Sequence, residues 1–331
     1  MLLSTIVHRI DPVIAQIGGV AFWWYGLSYT LGFLQIHLFL MRRRRQLALS
    51  ASEVATLSLW LAVGVLGGGR AVEVAFDEWP FYRQHLSLVP AFWLGGMATH
   101  GLLAGAAVGA AAFARLRRKP FLELADTLVI PGALLMGLGR IGNFIDGQIV
   151  GSATTLPWGV LFPDAEFPRH PVVLYDAAKN LLLVPYLLHV QRTNRTPGAV
   201  AARFVFWYAC PRIVIDLFRD YPTHRLALGT GQTLNLVMAA VGAVLLVRSR
   251  LRRLGRLPAR AASPPREAAV DDRPATPAQR LAFAALLLFC LMIPSNWTQD
   301  VPARYGKRHA GLHHWWLYPP LTTVPAHVTS P

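Results

Sequence analysis

The chain is short of cysteine, of acidic residues and of charge altogether, and each shortage excludes something. Cys210 and Cys290 are its only cysteines, far apart and each inside an apolar run. They make neither a disulfide framework nor a metal-ligand spacing and read as two buried thiols. Charged residues are 15% of the 331 positions while 54% are hydrophobic, a balance foreign to a soluble domain of this length. Only 17 acidic residues stand against 32 Lys and Arg, giving a net charge of +15 that would suit a nucleic acid. The arginines, however, sit in short clusters between apolar runs, which is the pattern of positive-inside loops, so nucleic acid is set aside as a partner. The N-terminus lacks a basic stretch feeding an apolar core and a small-residue cleavage site, so no cleavable signal peptide is expected. No repeat relates the two halves of the chain, which argues against a transporter or channel.

What the chain does have is apolar runs. They fall at about 18–40, 54–68, 91–113, 121–139, 172–190, 200–218, 230–247 and 280–293, several approaching the roughly 20 residues that span a bilayer. Basic clusters follow the first (Arg42 to Arg45), third (Arg115, Arg117, Arg118, Lys119), fifth (Arg192, Arg195) and seventh (Arg248 to Arg256). Clusters after every odd-numbered run all fall on one side, which should be the cytoplasm, leaving the N-terminus outside. The expected fold class is all-α: a polytopic transmembrane helix bundle with a seven-helix core over 1–250 and an eighth C-terminal helix at 280–293. An interfacial segment is the alternative for that last run. Residues 251–279 are rich in Pro, Ala and Arg and read as a disordered cytoplasmic linker. The tail, 294–331, is then extracytoplasmic. Its His309, His313 and His314 match no common metal spacing and, beside Trp315 and Trp316, read as an interfacial patch.

The most informative stretch is Gly139-Arg140-Ile141-Gly142-Asn143-Phe144-Ile145-Asp146-Gly147, at the outer end of the fourth run. An ionisable residue at membrane depth is expensive and reads first as a substrate or ion site. Arginine's planar fork suits a phosphate diester, an amide both donates and accepts, and the flanking glycines let the backbone leave helical geometry and approach a ligand. An anionic lipid substrate is the expectation. Other polar residues interrupt the apolar runs: Tyr25, His100, Asp126, His170, Tyr175 and Asp176. Tyr208, Arg212, Asp216 and Arg219 follow at spacings of four, four and three, on one helical face that cannot look at lipid. Bland readings stand beside these. Arg212 and Asp216 make a packing ion pair if they do not grip a phosphate, His100 and the tyrosines suit interhelical bonding, Asp126 suits a cap, and Arg219 a headgroup anchor.

At these residues the chain resembles the prolipoprotein diacylglyceryl transferase family. The resemblance rests on the Arg140 stretch with Gly151, on Trp24-Tyr25-Gly26-Leu27, Gly68-Gly69-Arg70, His100-Gly101, His170-Pro171 with Leu174-Tyr175, Tyr208 with Arg212, and Gly231-Gln232. They run in order over 20–247, and the linker, eighth run and tail lie outside them. The resemblance implies a bacterial inner-membrane enzyme that moves the diacylglyceryl group of phosphatidylglycerol onto the lipobox cysteine of a prolipoprotein, with no metal or organic cofactor. It implies Arg140, His100, Arg212 and Tyr25 as catalytic residues, and Asn143, Gly142, Asp146, Gly151, Tyr208, Asp126 and Arg70 as substrate-binding residues. Departures from the family pattern are Gln148 in place of a glutamate, Leu102 in place of a glycine, Val173 in place of a glutamine, Glu73 in place of an aromatic, and Asp176 and Asp216 in place of glutamates. Either Asp146 serves for the lost carboxylate or the site has been retuned. The retuned reading is a divergent member that binds anionic phospholipid without this transfer or uses a different acceptor. Truncation after about Arg256 is expected to leave the core activity standing.

Overall fold

The structure is a computed structural model that describes residues 6–163, 165–220, 230–256 and 272–295. The histidine patch of the tail and most of the expected linker lie outside the described residues. Eight of the helices correspond to the eight apolar runs: α1 (Trp24–Arg43), α2 (Ala51–Val72), α4 (Thr99–Leu116), α5 (Phe121–Ile145), α6 (Val172–Thr193), α7 (Ala199–Asp216), α8 (Thr230–Arg253) and α9 (Pro277–Leu291). A one-turn helix, α3 (Trp79–Tyr82), lies in the loop after α2. By length and composition, 51–77, 121–145 and 231–253 are apolar enough to cross a membrane. The architecture is the expected all-α membrane bundle.

Inside a bilayer, burial away from water no longer drives helices together, so close packing and interhelical polar bonds must do so. The tightest example is α2 against α4. A Cβ on Gly105 would run into the carbonyl of Gly64, and one on Gly101 would meet that of Gly68, so the two backbones touch where side chains would otherwise keep them apart. Among the described residues apolar packing forms three bodies, the smallest joining Ala21 and Trp23 to Ala91 and Leu94. Tyr29, Phe33, Leu40, Leu57, Leu61, Phe113 and Phe283 join α1, α2, α4 and α9. Ile130, Met136, Leu183, Leu187 and Phe204 join α5, α6 and α7, and α8 packs along α7.

One end of the bundle collects the basic clusters. There Arg43 donates to Gln191 (2.5 Å), Lys119 pairs with Glu53 (3.2 Å), and Arg44 pairs with Asp272 (2.7 Å), an exposed carboxyl held below its ordinary value by that guanidinium. Capping boxes start two helices here, Ser50 with Glu53 on α2 and Thr276 with Gln279 on α9, satisfying amides that would otherwise be orphaned.

The structure departs from the sequence-based expectation in three places. The first apolar run begins as a hairpin, β2 (Val13–Ile17) with β3 (Val20–Trp23), turned by Gly18 and Gly19 at positive φ, and α1 starts only at Trp24. A second strand pair, β1 (Ile6–Val7) with β4 (Val160–Leu161), lies parallel. The third run opens on a short 3-10 turn, Phe92–Leu94, and becomes α-helical only at Thr99. Before it, Gly95 and Gly96 both take φ +72, a left-handed conformation open to glycine and closed to most side chains, and turn the chain sharply. Finally, the backbone does not leave helical geometry at Gly139 or Gly142. α5 continues through Ile145, and the break comes at Gly147 (φ +69) and Ile149 (φ +58). Gly142 is small because α1 crosses it: a Cβ there would press on Tyr25 and Ser28.

Candidate active site

At the end of the bundle opposite the basic clusters, one buried network links five helices. Its centre is Asp176 on α6, a side chain 0% exposed. Arg140 on α5 donates from Nε to Asp176 Oδ2 (2.6 Å), and Arg212 on α7 donates to the same oxygen. Lys179, one turn along α6, reaches the other carboxylate oxygen at 2.8 Å, donates to the Tyr208 carbonyl (3.0 Å) and lies over the Tyr208 ring at 3.9 Å. Arg212 also pairs with Asp216 (3.0 Å), so the four-residue spacing on α7 does produce its expected ion pair, now as one link of a larger chain.

The network extends in two directions. Asp216 accepts from Asn235 Nδ2 on α8 (2.8 Å), which fixes that amide, and Asn235 Oδ1 then faces His100 Nε2 at 3.0 Å. An amide oxygen only accepts, so the proton of the neutral imidazole sits on Nε2 and Nδ1 is left as the basic nitrogen. On the other side, Arg140 donates to Asn143 Oδ1 (3.1 Å) and to Thr99 Oγ1 (2.7 Å). With its oxygen so engaged, Asn143 presents Nδ2 to Ser295 Oγ (2.7 Å), and the Ser295 amide donates to Asp146 (3.0 Å). Arg140, Arg212 and Lys179 pair with Asp176 and Asp216, and Asp146, joined through Ser295, adds a third buried carboxylate. In a desolvated site the attraction between these cations and an anion is strong.

Of the residues singled out in the sequence, Arg140, Asn143, Asp146, His100, Arg212 and Tyr208 come together here. Tyr25 adjoins them through Gly142, and its hydroxyl meets that of Tyr29 (3.0 Å). Gly151 sits just outside, wedged between the carbonyls of His170 and Phe218 and bridged to Arg219. Arg70 is separate. Its guanidinium lies over the Tyr82 ring and spends its donors on the carbonyls of Val89 (3.0 Å), Leu88 (2.9 Å), Ala91 (3.2 Å) and Gly95, which holds the glycine turn in place. Asp126 lies at the far end of α5, about 21 Å from Arg140 at the helical rise. There it accepts from the amides of Gly198 (2.7 Å) and Ala201 (2.8 Å) and caps α7, so its part is structural.

Lys179, Asn235 and Ser295 are network members that the sequence pattern alone did not single out. Lys179 and Asn235 carried a readable signal, a polar residue within an apolar run. Of the departures, Leu102 packs against Gly69 and Val173 is buried.

A bundle of apolar helices carrying one buried, ion-linked network belongs to the class of polytopic membrane proteins with an internal polar site. Residues 12–248 match the family described as prolipoprotein diacylglyceryl transferase. Relatives named phosphatidylglycerol--prolipoprotein diacylglyceryl transferase include one from Geobacter sulfurreducens, 37% identical over 75% of this chain and 98% of its own length. Another, from Nitratidesulfovibrio vulgaris, is 37% identical over 73% and 95%. One from Cupriavidus metallidurans is 35% identical over 73% and 94%. The chain belongs to the prolipoprotein diacylglyceryl transferase family and is a transferase.

Proposed function

We propose that this chain moves the diacylglyceryl group of phosphatidylglycerol onto the lipobox cysteine thiol of prolipoproteins, the first step of lipoprotein maturation, in the bacterial cytoplasmic membrane. The observation that carries the reading is the pair Arg140 and Arg212 converging on Asp176. Breaking the bond between a glycerol carbon and a phosphate oxygen leaves charge on the departing phosphate, and two preorganised guanidiniums stabilise it there. Asp176 holds both forks in register and yields part of their donors to the lipid phosphate. The acceptor must react as thiolate, and His100 Nδ1, kept unprotonated by the bond its Nε2 makes, is the group of suitable basicity to take that proton. Asn143 orients Arg140, and Tyr208 supports Lys179 from below. No organic cofactor or metal enters the scheme.

In this reading the basic end faces the cytoplasm, the network faces outward and the N-terminus is extracytoplasmic. The core is 1–250, with 251–279 as a cytoplasmic linker and 294–331 as an extracytoplasmic tail. The test is complementation of a bacterium depleted of its own transferase, following a labelled prolipoprotein by mass, with wild type and Gln148→Glu. Conversion by the wild type is expected. A membrane-inserted wild type that leaves the prolipoprotein unmodified, with Gln148→Glu restoring conversion, would instead support a site retuned away from this transfer.

A further inference from the structure

The family match ends at residue 248, yet residues 272–295 return to the core. α9 lies along α1 and α2 and is bonded to both. Gln279 donates to Thr56 Oγ1 (2.9 Å), Thr30 donates to the Leu287 carbonyl (2.8 Å), Phe283 stacks on His37 at 4.7 Å, and Gly26 lets the carbonyls of Cys290 and Leu291 approach where a Cβ would collide. The segment then enters the site. Ser295 is buried, and all three of its polar groups are held. Its amide donates to Asp146 (3.0 Å), its carbonyl accepts from Gly96 (2.9 Å), and its hydroxyl accepts from Asn143 (2.7 Å). Gly95 makes room for the Pro294 carbonyl, and Arg70 braces the turn.

Asn143, Asp146 and the Gly95–Gly96 turn thus form a cradle for one residue of an extended chain carrying a short –CH2–XH side chain. That residue's β-substituent is one hydrogen-bonded side chain from Arg140. What leads into the cradle is also specific. Arg273 and Arg280 stand at the end of the bundle with the other basic clusters, 13 apolar residues follow at 281–293, and the chain arrives at the network. A basic start, an apolar stretch of 7–15 residues and a polar end describe a signal peptide. We propose that Ser295 occupies the subsite of the acceptor cysteine, and that α9 lies in the groove that takes the acceptor's signal peptide. The chain carries an internal copy of its acceptor with oxygen where the acceptor has sulfur. This rests on the transferase reading above. Serine in this place does not react because a hydroxyl supplies no thiolate.

Ser295→Cys converts the copy into an acceptor. In vesicles of phosphatidylglycerol, the introduced sulfur bonds to the glycerol carbon and the bond from that carbon to the phosphate oxygen breaks. The electron pair leaves on glycerol phosphate, and the thiol proton ends on that product. Intact-mass measurement is expected to show a gain of one diacylglyceryl group, mapped to position 295. No gain is expected in vesicles of phosphatidylethanolamine, in Ser295→Cys combined with Arg140→Ala, or in wild type, whose thiols are Cys210 and Cys290. The wild-type chain given a lipobox peptide in trans is the control. If it modifies the peptide while Ser295→Cys gains nothing, the inference is overturned and the transferase reading stands. If neither the peptide nor Ser295→Cys is modified, the transferase reading itself fails. A gain that survives Arg140→Ala is uncatalysed and also overturns the inference. A chain ended at Arg256 gives a second readout. Removing the copy lowers the KM for the lipobox peptide several-fold with kcat held, whereas an unchanged KM, or a kcat lost from a folded chain, means that the segment is a strut.

Discussion

Among the residues, Arg140 and Asp176 separate chemistry from scaffold. Arg140→Ala leaves Asp176 paired with Arg212 and Lys179, so the protein should still insert and accumulate while transfer falls below detection. Membrane-fraction immunoblotting beside a transfer assay checks both halves of that statement. Asp176→Asn does the opposite. It leaves Arg140 and Lys179 without a carboxylate and Arg212 with Asp216 alone, and leaving buried charge uncompensated costs about 3–5 kcal/mol. The expected outcome is a large drop in thermal stability in detergent as well as lost activity. The sequence announced Arg140 and Asn143 because a charge beside an amide at the end of an apolar run is costly unless a polar site makes use of it. It was silent on Ser295, whose partners Asn143 and Asp146 lie about 150 residues away. No local pattern encodes a contact of that separation. Lys179 and Asn235 lie between these cases, being visible as polar interruptions but without a direction until the helices that carry them are packed.

The helices were the legible part, since long apolar runs have only one way to satisfy their backbone in lipid. The hairpin at 13–23 was not. Its apolar residues merge with those of α1, and membrane-like composition concealed the two-glycine turn that marks a hairpin. The α2–α4 contact belongs to this scale too. Gly105→Val places a branched side chain against the Gly64 backbone, and overpacking of that kind costs about 1–3 kcal/mol. Because Thr99 and His100 start α4, the variant should lose activity together with stability. Thermal unfolding and transfer measured on the same preparation check this, and full activity at wild-type stability would show the close approach to be unimportant.

For the whole molecule, the charge distribution and the network fix opposite ends. The basic clusters after α1, α4, α6 and α8 gather at one end, with Arg43 reaching Gln191 and Lys119 reaching Glu53 across helices. Reporter fusions at Arg118 and Arg253 should report cytoplasm, and a fusion in the loop holding Trp158 should report the outside. Reversed signals would place the network on the wrong face for an exported acceptor. The order of apolar runs was enough to expect this arrangement, whereas the return of 272–295 to the core was beyond its reach. The polar anchors for that return, Thr30, Thr56 and the cradle, are distributed over four separate elements.

The central claim is that Arg140 and Arg212 act on the phosphate of phosphatidylglycerol so that a thiol can displace it. The most direct measurement is reconstitution of the purified chain in phosphatidylglycerol vesicles with a lipobox peptide, reading the peptide by mass. The account predicts a thioether-linked diacylglyceryl peptide with wild type, and none with Arg140→Ala or with phosphatidylethanolamine as the only lipid. An unmodified peptide beside folded wild-type protein, or equal modification by Arg140→Ala, would contradict it.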